Sequence, residues 1–291
     1  GMSYSVCNVL AETGSNNILR WVPFKIDESD LTNRISNKMI RPTTIPQSLE
    51  ALIIEQAIAR EALRLSFEQH KEFAVELKGV QQKRTISDAF DQSSSGETLV
   101  NLMDLDLLVG SGGVLSHAPR RNQAARMLID AFLPEGITQL AVDSIFMMPQ
   151  LGILSTIHAK AAVEVFEKDC LIHLGACIAP VGPQKLGDPV LTFECNLPNE
   201  KLVGTLMPGE IKLISVPYEK VEVKLIPSKG LDVGVGKNEI YTTQVYGGIV
   251  GIILDGRGRQ PFLLPQNEED RVENLAIWSD AINEYPTLGS I

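Results

Sequence analysis

The chain has 291 residues, 44% of them hydrophobic, and a formal net charge of −10. That apolar content excludes a wholly disordered chain, the length allows two domains or one large one, and the acidic balance argues against nucleic acid or an anionic membrane surface as a partner. No apolar run reaches about 18 residues and no basic segment leads into an apolar one at the start, so neither a membrane-spanning helix nor a signal peptide is expected, and the expected location is cytoplasmic.

From the start, Tyr4–Leu10 reads as a strand-like entry and Asp27–Lys38 as a polar, loop-rich stretch. Pro42 and Pro46 precede a long helix over roughly Gln47–Phe73, whose apolar rows Leu49, Ile53, Ala57 and Ala59, Leu63, Phe67 follow the spacing of a buried face. Within Gln81–Glu97, the run Gln92-Ser93-Ser94-Ser95-Gly96 predicts a flexible surface loop. A strand at Leu105–Val109, a glycine turn, a helix near Pro119–Phe132, a strand at Gln139–Val142 and a helix at Ser155–Glu167 then alternate, as helices on a sheet do.

After about Gly187 the pattern changes to short runs rich in Val and Ile: Val190–Cys195, Ile211–Val216, Val221–Leu225, Glu239–Val245 and Ile249–Leu254. A last helix near Glu268–Asn283 carries Leu275, Trp278 and Ile282. The expected organisation is an α/β domain over residues 1–185 and a β-rich domain over residues 186–291 that ends in a helix.

Cys7, Cys170, Cys177 and Cys195 form no Cys-x-x-Cys pair, and His70, His117, His158 and His173 form no His-x-x-x-His pair. Reduced thiols and no metal site are expected. The informative stretch is Asp106–His117, where an apolar segment runs into Gly110-Ser111-Gly112-Gly113 and a helix follows. Glycines there permit positive φ and close approach of another molecule, and the first-turn amides of a following helix lack intrahelical partners, which suits a nucleotide seat. The same grammar also closes β-to-α turns that bind nothing.

Other segments each have two readings. Asp232-Val233-Gly234-Val235-Gly236 is a miniature phosphate loop or, preferably, a turn between strands. Asp255-Gly256-Arg257-Gly258-Arg259 is an anion clamp or, preferably, a solvated hairpin tip. Asp143 orients a metal-bound water or caps the next element, and His117 touches a bound base or ribose or ends the turn. Arg120-Arg121 is the one obvious basic pair. No Walker-type loop, nucleophile elbow or His-Glu-x-x-His is present, so no catalytic residue is assigned.

Three segments resemble the MutL-type proteins associated with coenzyme-B12-dependent glutamate mutase, which are unrelated to the mismatch-repair protein of that name. They are Leu108–Pro119, Asp143 with Met148-Pro149-Gln150-Leu151-Gly152, and Gly247–Arg259. The resemblance implies an actin-like ATPase related to the hydantoinase/oxoprolinase branch, with ribonuclease-H-like halves and ATP between them. It assigns Gly110, Ser111, Gly112 and Gly113 to adenosine, and it implies a role in assisting or reactivating the mutase.

The family's two Asp-x-Gly phosphate loops are not found in that context, and Gly1-Met2-Ser3-Tyr4-Ser5 is similar to the residues after the second. The expectation is therefore a piece of a longer protein that does not hydrolyse ATP by itself. ATP and Mg²⁺ are expected only for the parent, with a B12-dependent mutase as partner, because phosphoryl transfer rests on positioning the metal and γ-phosphate. A hydantoinase-like hydrolase or small-molecule kinase, and a pure interaction module, remain alternatives.

Overall fold

The structure is a computed structural model that describes residues 4–74, 99–259, 262, 264–265 and 267–286. The loop expected within Gln81–Glu97 lies outside the described residues.

Three helices come first. Helix α1 (Val6–Leu19) begins at Ser5, whose hydroxyl accepts the Asn8 N–H at 3.3 Å, and it kinks at Gly14 (φ 72°). The expected strand at Tyr4–Leu10 is thus a helix: its Tyr and Val residues have local β preference, but the Ser5 cap and burial of Val9 and Ile18 on neighbouring helices outweigh it. Helix α2 (Glu28–Ile40) occupies the stretch expected to be loop-rich. Its polarity hides one apolar pair, Leu31 and Ile35, with Glu28 and Asp30 in the first turn and Lys38 in the last, as the helix dipole favours. Helix α3 (Leu49–Phe73) matches the sequence expectation; Ser48 caps it by accepting the Ala51 N–H at 3.2 Å.

Strand β1 (Leu107–Gly110) leads through the glycine turn into the short helix α4 (Gly113–Ser116) and then α5 (Arg121–Phe132). Next come β2 (Gly136–Asp143), α6 (Met148–Val165), β3 (Leu171–Ala179), β4 (Leu191–Asn196), β5 (Lys201–Leu206), β6 (Ile211–Ile214), β7 (Lys220–Pro227), β8 (Tyr241–Tyr246), β9 (Gly251–Asp255) and α7 (Glu268–Ala281). The architecture is α/β with one mixed and one antiparallel sheet. The mixed sheet has the order β1-β2-β3-β9-β6, with β1–β2 and β3–β9 parallel and β2–β3 and β9–β6 antiparallel. The antiparallel sheet has the order β5-β4-β7-β8.

Three layers result because the strands at the centre of the mixed sheet are apolar on both faces. Leu174 and Cys177 of β3 and Ile253 of β9 face Leu128 of α5 and Trp278 of α7. Ala176, Ile178, Ile252 and Leu254 face Phe193, Val223 and Leu225 of the second sheet. The strands that follow residue 186 divide between the two sheets, so hydrogen bonding runs from β3 to β9 across the boundary expected near 185.

That crossing demands glycine. Gly175 has φ 139°, and a Cβ built on it would lie 1.8 Å from the Gly251 carbonyl oxygen; one on Gly248 would lie 2.4 Å from the Leu174 carbonyl carbon. Helix α6 is the opposite case. It buries only Leu151 and Ala162, leaves Ile153 and Ile157 70% and 84% exposed, and bends at His158, whose Nδ1 accepts the Ala161 N–H at 3.1 Å.

Candidate functional site

The glycine turn is built by packing at one end and left open at the other. A Cβ on Gly110 would meet Leu115 Cδ1 at 2.9 Å and Leu128 Cδ2 at 3.0 Å, so this residue seats the strand against α4 and α5. Gly112 has φ 114°, a conformation that side chains disfavour, while a Cβ on Gly112 or Gly113 would meet nothing within 4 Å. The Gly112 carbonyl accepts the N–H groups of Leu115 (3.1 Å) and Ser116 (2.9 Å). The N–H groups of Gly113 and Val114 precede any intrahelical acceptor.

Ser116 anchors the turn to the end of β2 by donating to the Asp143 carbonyl oxygen at 2.5 Å, and Ser111 Oγ lies 3.5 Å from the Asp143 carboxylate. That carboxylate is buried and accepts the backbone N–H groups of Ile145 (3.4 Å) and Met148 (3.0 Å). Asp143 therefore does the capping work of its two readings, fixing the start of α6.

The open side of the turn faces a cleft. Ser111, Gly112, Gly113 and Val114 line a cavity of about 270 Å³ closed on the far side by Ala59 and Leu63 of α3. Gly113, His117 and Pro119 line an adjoining cavity of about 600 Å³ against the α2–α3 connection. A third, of about 630 Å³, continues toward Arg34, Arg41 and Ile54. All three share Lys38 and Glu55, whose charged ends pair at 3.0 Å while Lys38 Nζ also donates to the Thr44 carbonyl at 2.5 Å. These volumes are in the range of small-molecule sites.

The sequence signal for this wall was absent, because Lys38 and Glu55 come from helices more than fifty residues before the turn. His117 is exposed on the cleft and ends α4, its N–H donating to the Gly113 carbonyl at 3.0 Å. Arg121 donates to the Ser116 carbonyl (2.6 Å) and Arg120 to that of Asn283 (3.3 Å), so the basic pair braces the backbone. Asp232 accepts the N–H groups of Gly234 (2.8 Å) and Gly236 (3.0 Å), the turn between strands that the sequence favoured.

The Asp255–Arg259 segment corrects the expectation of a solvated tip. Asp255, Arg257 and Arg259 are 1–3% exposed. The arginines turn inward instead of facing solvent. Arg257 donates to Asp255 through Nε (2.9 Å) and Nη2 (2.8 Å) and to Asp130 of α5 through Nη1 (2.7 Å). Asp130 also accepts from Arg60 Nε (2.9 Å) and Arg126 Nε (2.7 Å), and Arg259 Nη2 reaches Asp255 at 2.9 Å. Arg60 Nη2 donates to Glu284 at 2.5 Å, and Tyr285 OH donates to Gln56 at 2.5 Å, tying the segment after α7 to α3.

Burial opposes the charge on Asp130, but Arg126, Arg257 and Arg60 more than offset it and hold the carboxyl at about 2 against an ordinary 3.8. Asp255 is held well below the ordinary range too: burial again opposes, and Arg257 and Arg259 prevail. Folded values below the unfolded ones mean stability that is complete above the unfolded pKa and lost as pH falls through the folded one. Asp130 alone contributes about 2 kcal/mol in this way. Denaturant titration is expected to show stability dropping between about pH 4 and pH 2, less steeply in Asp130→Asn than in the native chain.

These features define an α/β protein in which a glycine turn at a strand end opens onto a cleft walled by helices. The family model described as MutL protein matches residues 1–170, more than half of the chain, and the chain belongs to that family, the one associated with glutamate mutase. No curated protein and no solved structure matches it. No described helix is long and apolar enough to cross a membrane.

Proposed function

We propose that this chain is part of an ATP-dependent accessory protein that assists or reactivates a coenzyme-B12-dependent mutase, and that Gly110, Ser111, Gly112 and Gly113 seat the adenosine end of the nucleotide. The observation that carries this reading is the open face of Gly112 and Gly113: no atom stands where a Cβ would be, and the cleft lies beyond. The amides of Gly113 and Val114 supply donors to ribose or phosphate oxygens, and Ala59 and Leu63 supply an apolar wall for the base.

The mixed sheet ending in this turn supports a ribonuclease-H-like ancestry. The chain's own residues bind and orient in this proposal; ATP when bound would supply the phosphoryl chemistry. The family's two Asp-x-Gly phosphate loops are not found in that context in the sequence, and this proposal assigns the chain nucleotide binding rather than turnover.

Calorimetric titration of ATP and adenosine into the purified chain tests this. The sequence leads us to expect ATP only for the longer parent; the open cleft beside Gly112 and Gly113 leads this proposal to expect binding of both to the chain itself. Gly113→Val, which fills the cleft without touching the packed Gly110, is expected to weaken it at least tenfold, about 1.4 kcal/mol. Equal affinity in the variant, or magnesium-dependent ATP turnover by this chain alone, would overturn the proposal.

The partner role draws on α6. Its exposed Ile153 and Ile157 sit on a helix whose first turn is fixed by Asp143, the residue that also anchors the glycine turn. Exposed apolar residues grouped this way mark interaction surfaces. Ile157→Lys is expected to abolish co-purification with the mutase and leave ATP titration unchanged; retained co-purification would remove α6 from the interface.

A further inference from the structure

Helix α6 is two helical segments joined at one residue. His158 has φ −145° and ψ 78°, extended backbone in the interior of Met148–Val165. Neither proline nor glycine explains the break, because Pro149 stands in the first turn and Gly152 lies well before it. Ala159, Ala161 and Ala162 beyond the break are the best of helix formers. Side chains must therefore hold it open.

Those at the joint do so. Ser155 and Thr156 turn their hydroxyls back onto the carbonyls of Gly152 (2.7 Å) and Ile153 (2.8 Å), closing the first segment. The Ala161 N–H, which an unbroken helix would direct to the Ile157 carbonyl, donates instead to His158 Nδ1 at 3.1 Å. His158 is thus the N-cap of the second segment. Its side chain accepts the amide three residues on, as Ser5 does for α1 and Ser48 for α3.

Unlike those serines, this cap can take up a proton. Only an unprotonated Nδ1 accepts a hydrogen bond, so the ring is neutral with its hydrogen on Nε2. An imidazolium has two donors and no acceptor, and it sets a positive charge at a helix N-terminus, where the dipole favours anions. The charged neighbours are Lys160 and Glu164, paired with each other at 3.9 Å, and Glu167, Lys168 and Asp169 of the π turn Phe166–Cys170 that packs on α6. All five are exposed, so solvent screens them from the ring and the lost acceptor decides the outcome.

We infer that His158 is a proton-operated joint: neutral, it holds α6 broken, and protonated at Nδ1 it returns the Ala161 N–H to the Ile157 carbonyl, so that the two segments run on as one helix. The break sets how Ile153 and Ile157 before it stand to Val163 and Val165 after it, all of them exposed. Acidification through the range where imidazoles titrate therefore re-forms this apolar face. The joint belongs to the chain alone, whereas its use in docking rests on the assignment of α6 to the mutase interface.

NMR of the full chain at pH 7.5 and pH 5 tests the joint. Both values lie above the acid range in which the Asp130 carboxylate protonates. At pH 7.5 the His158 ring is expected as the Nε2–H tautomer and its Cα shift as that of extended backbone. At pH 5 the Cα shift is expected to move to the helical range, with the ratio of broken to continuous helix falling about fivefold or more, as loss of an N-cap allows. His158→Asn, a cap that does not titrate, is expected to stay broken at both pH values, and His158→Ala to be continuous at both. An Nδ1–H tautomer at pH 7.5, an extended Cα shift retained at pH 5, the same pH response in His158→Asn, or a broken helix in His158→Ala would each overturn the inference. None of these readouts involves a partner, so the co-purification test of Ile157→Lys judges the interface separately.

Discussion

Asp130→Ala is expected to destabilise the chain by about 3–5 kcal/mol, the cost of leaving buried charges without their partner. Three guanidinium groups, those of Arg60, Arg126 and Arg257, converge on this one carboxylate from α3, α5 and the end of β9. Removing it leaves Arg126 with no hydrogen-bonded carboxylate and takes one of two from Arg60 and Arg257, which keep Glu284 and Asp255. Urea unfolding at neutral pH measures the loss. Lys160→Ala, which removes an exposed and loosely paired cation on α6, is the control and is expected to change stability by less than about 0.5 kcal/mol. If both variants unfold at the same denaturant concentration, the network does not hold the helices to the sheet.

Gly175→Ala is expected to be at least as damaging, about 4 kcal/mol or more, with the protein recovered mainly as aggregate. The methyl group would be driven into the Gly251 carbonyl, and the φ of 139° is strained for any side chain. Backbone, not a flexible side chain, occupies the space, so relief requires separating β3 from β9 at the centre of the mixed sheet. Gly187→Ala separates the two causes: it too has positive φ (89°), but nothing lies within 4 Å of the added carbon. It is expected to cost only about 1 kcal/mol. Equal effects from the two would mean that close backbone approach does not explain the requirement at 175.

The same pair of strands shows what a single sequence conceals. Helix α3 was legible because Leu49, Ile53 and Ala57 repeat at one spacing behind a serine cap. Strand β3 was not, because it is buried on both faces and carries His173, Gly175 and Cys177, so neither alternation nor β-rich composition marks it. Strand β5, at the sheet edge, has Gly204 beneath the Phe193 ring and too little apolar character to stand out. The glycine turn itself was visible as local chemistry. Its opposite wall and the ionic network were not: Asp130 reads as an ordinary polar position on a helix, and Arg257 and Arg259 as loop charges, until tertiary packing brings them together.

Helix α3 places two unlike surfaces one residue apart. Glu55 and Ala59 stand on the cleft, while Gln56 and Arg60 reach through hydrogen bonds to Tyr285 and Glu284. A rigid rod held at both flanks cannot shift on one side alone, so any occupant that displaces α3 must also strain or relax the residues after α7. Linkage makes this reciprocal. Slowed or hastened amide exchange at Asn283–Tyr285 would then report events in the cleft from across the helix.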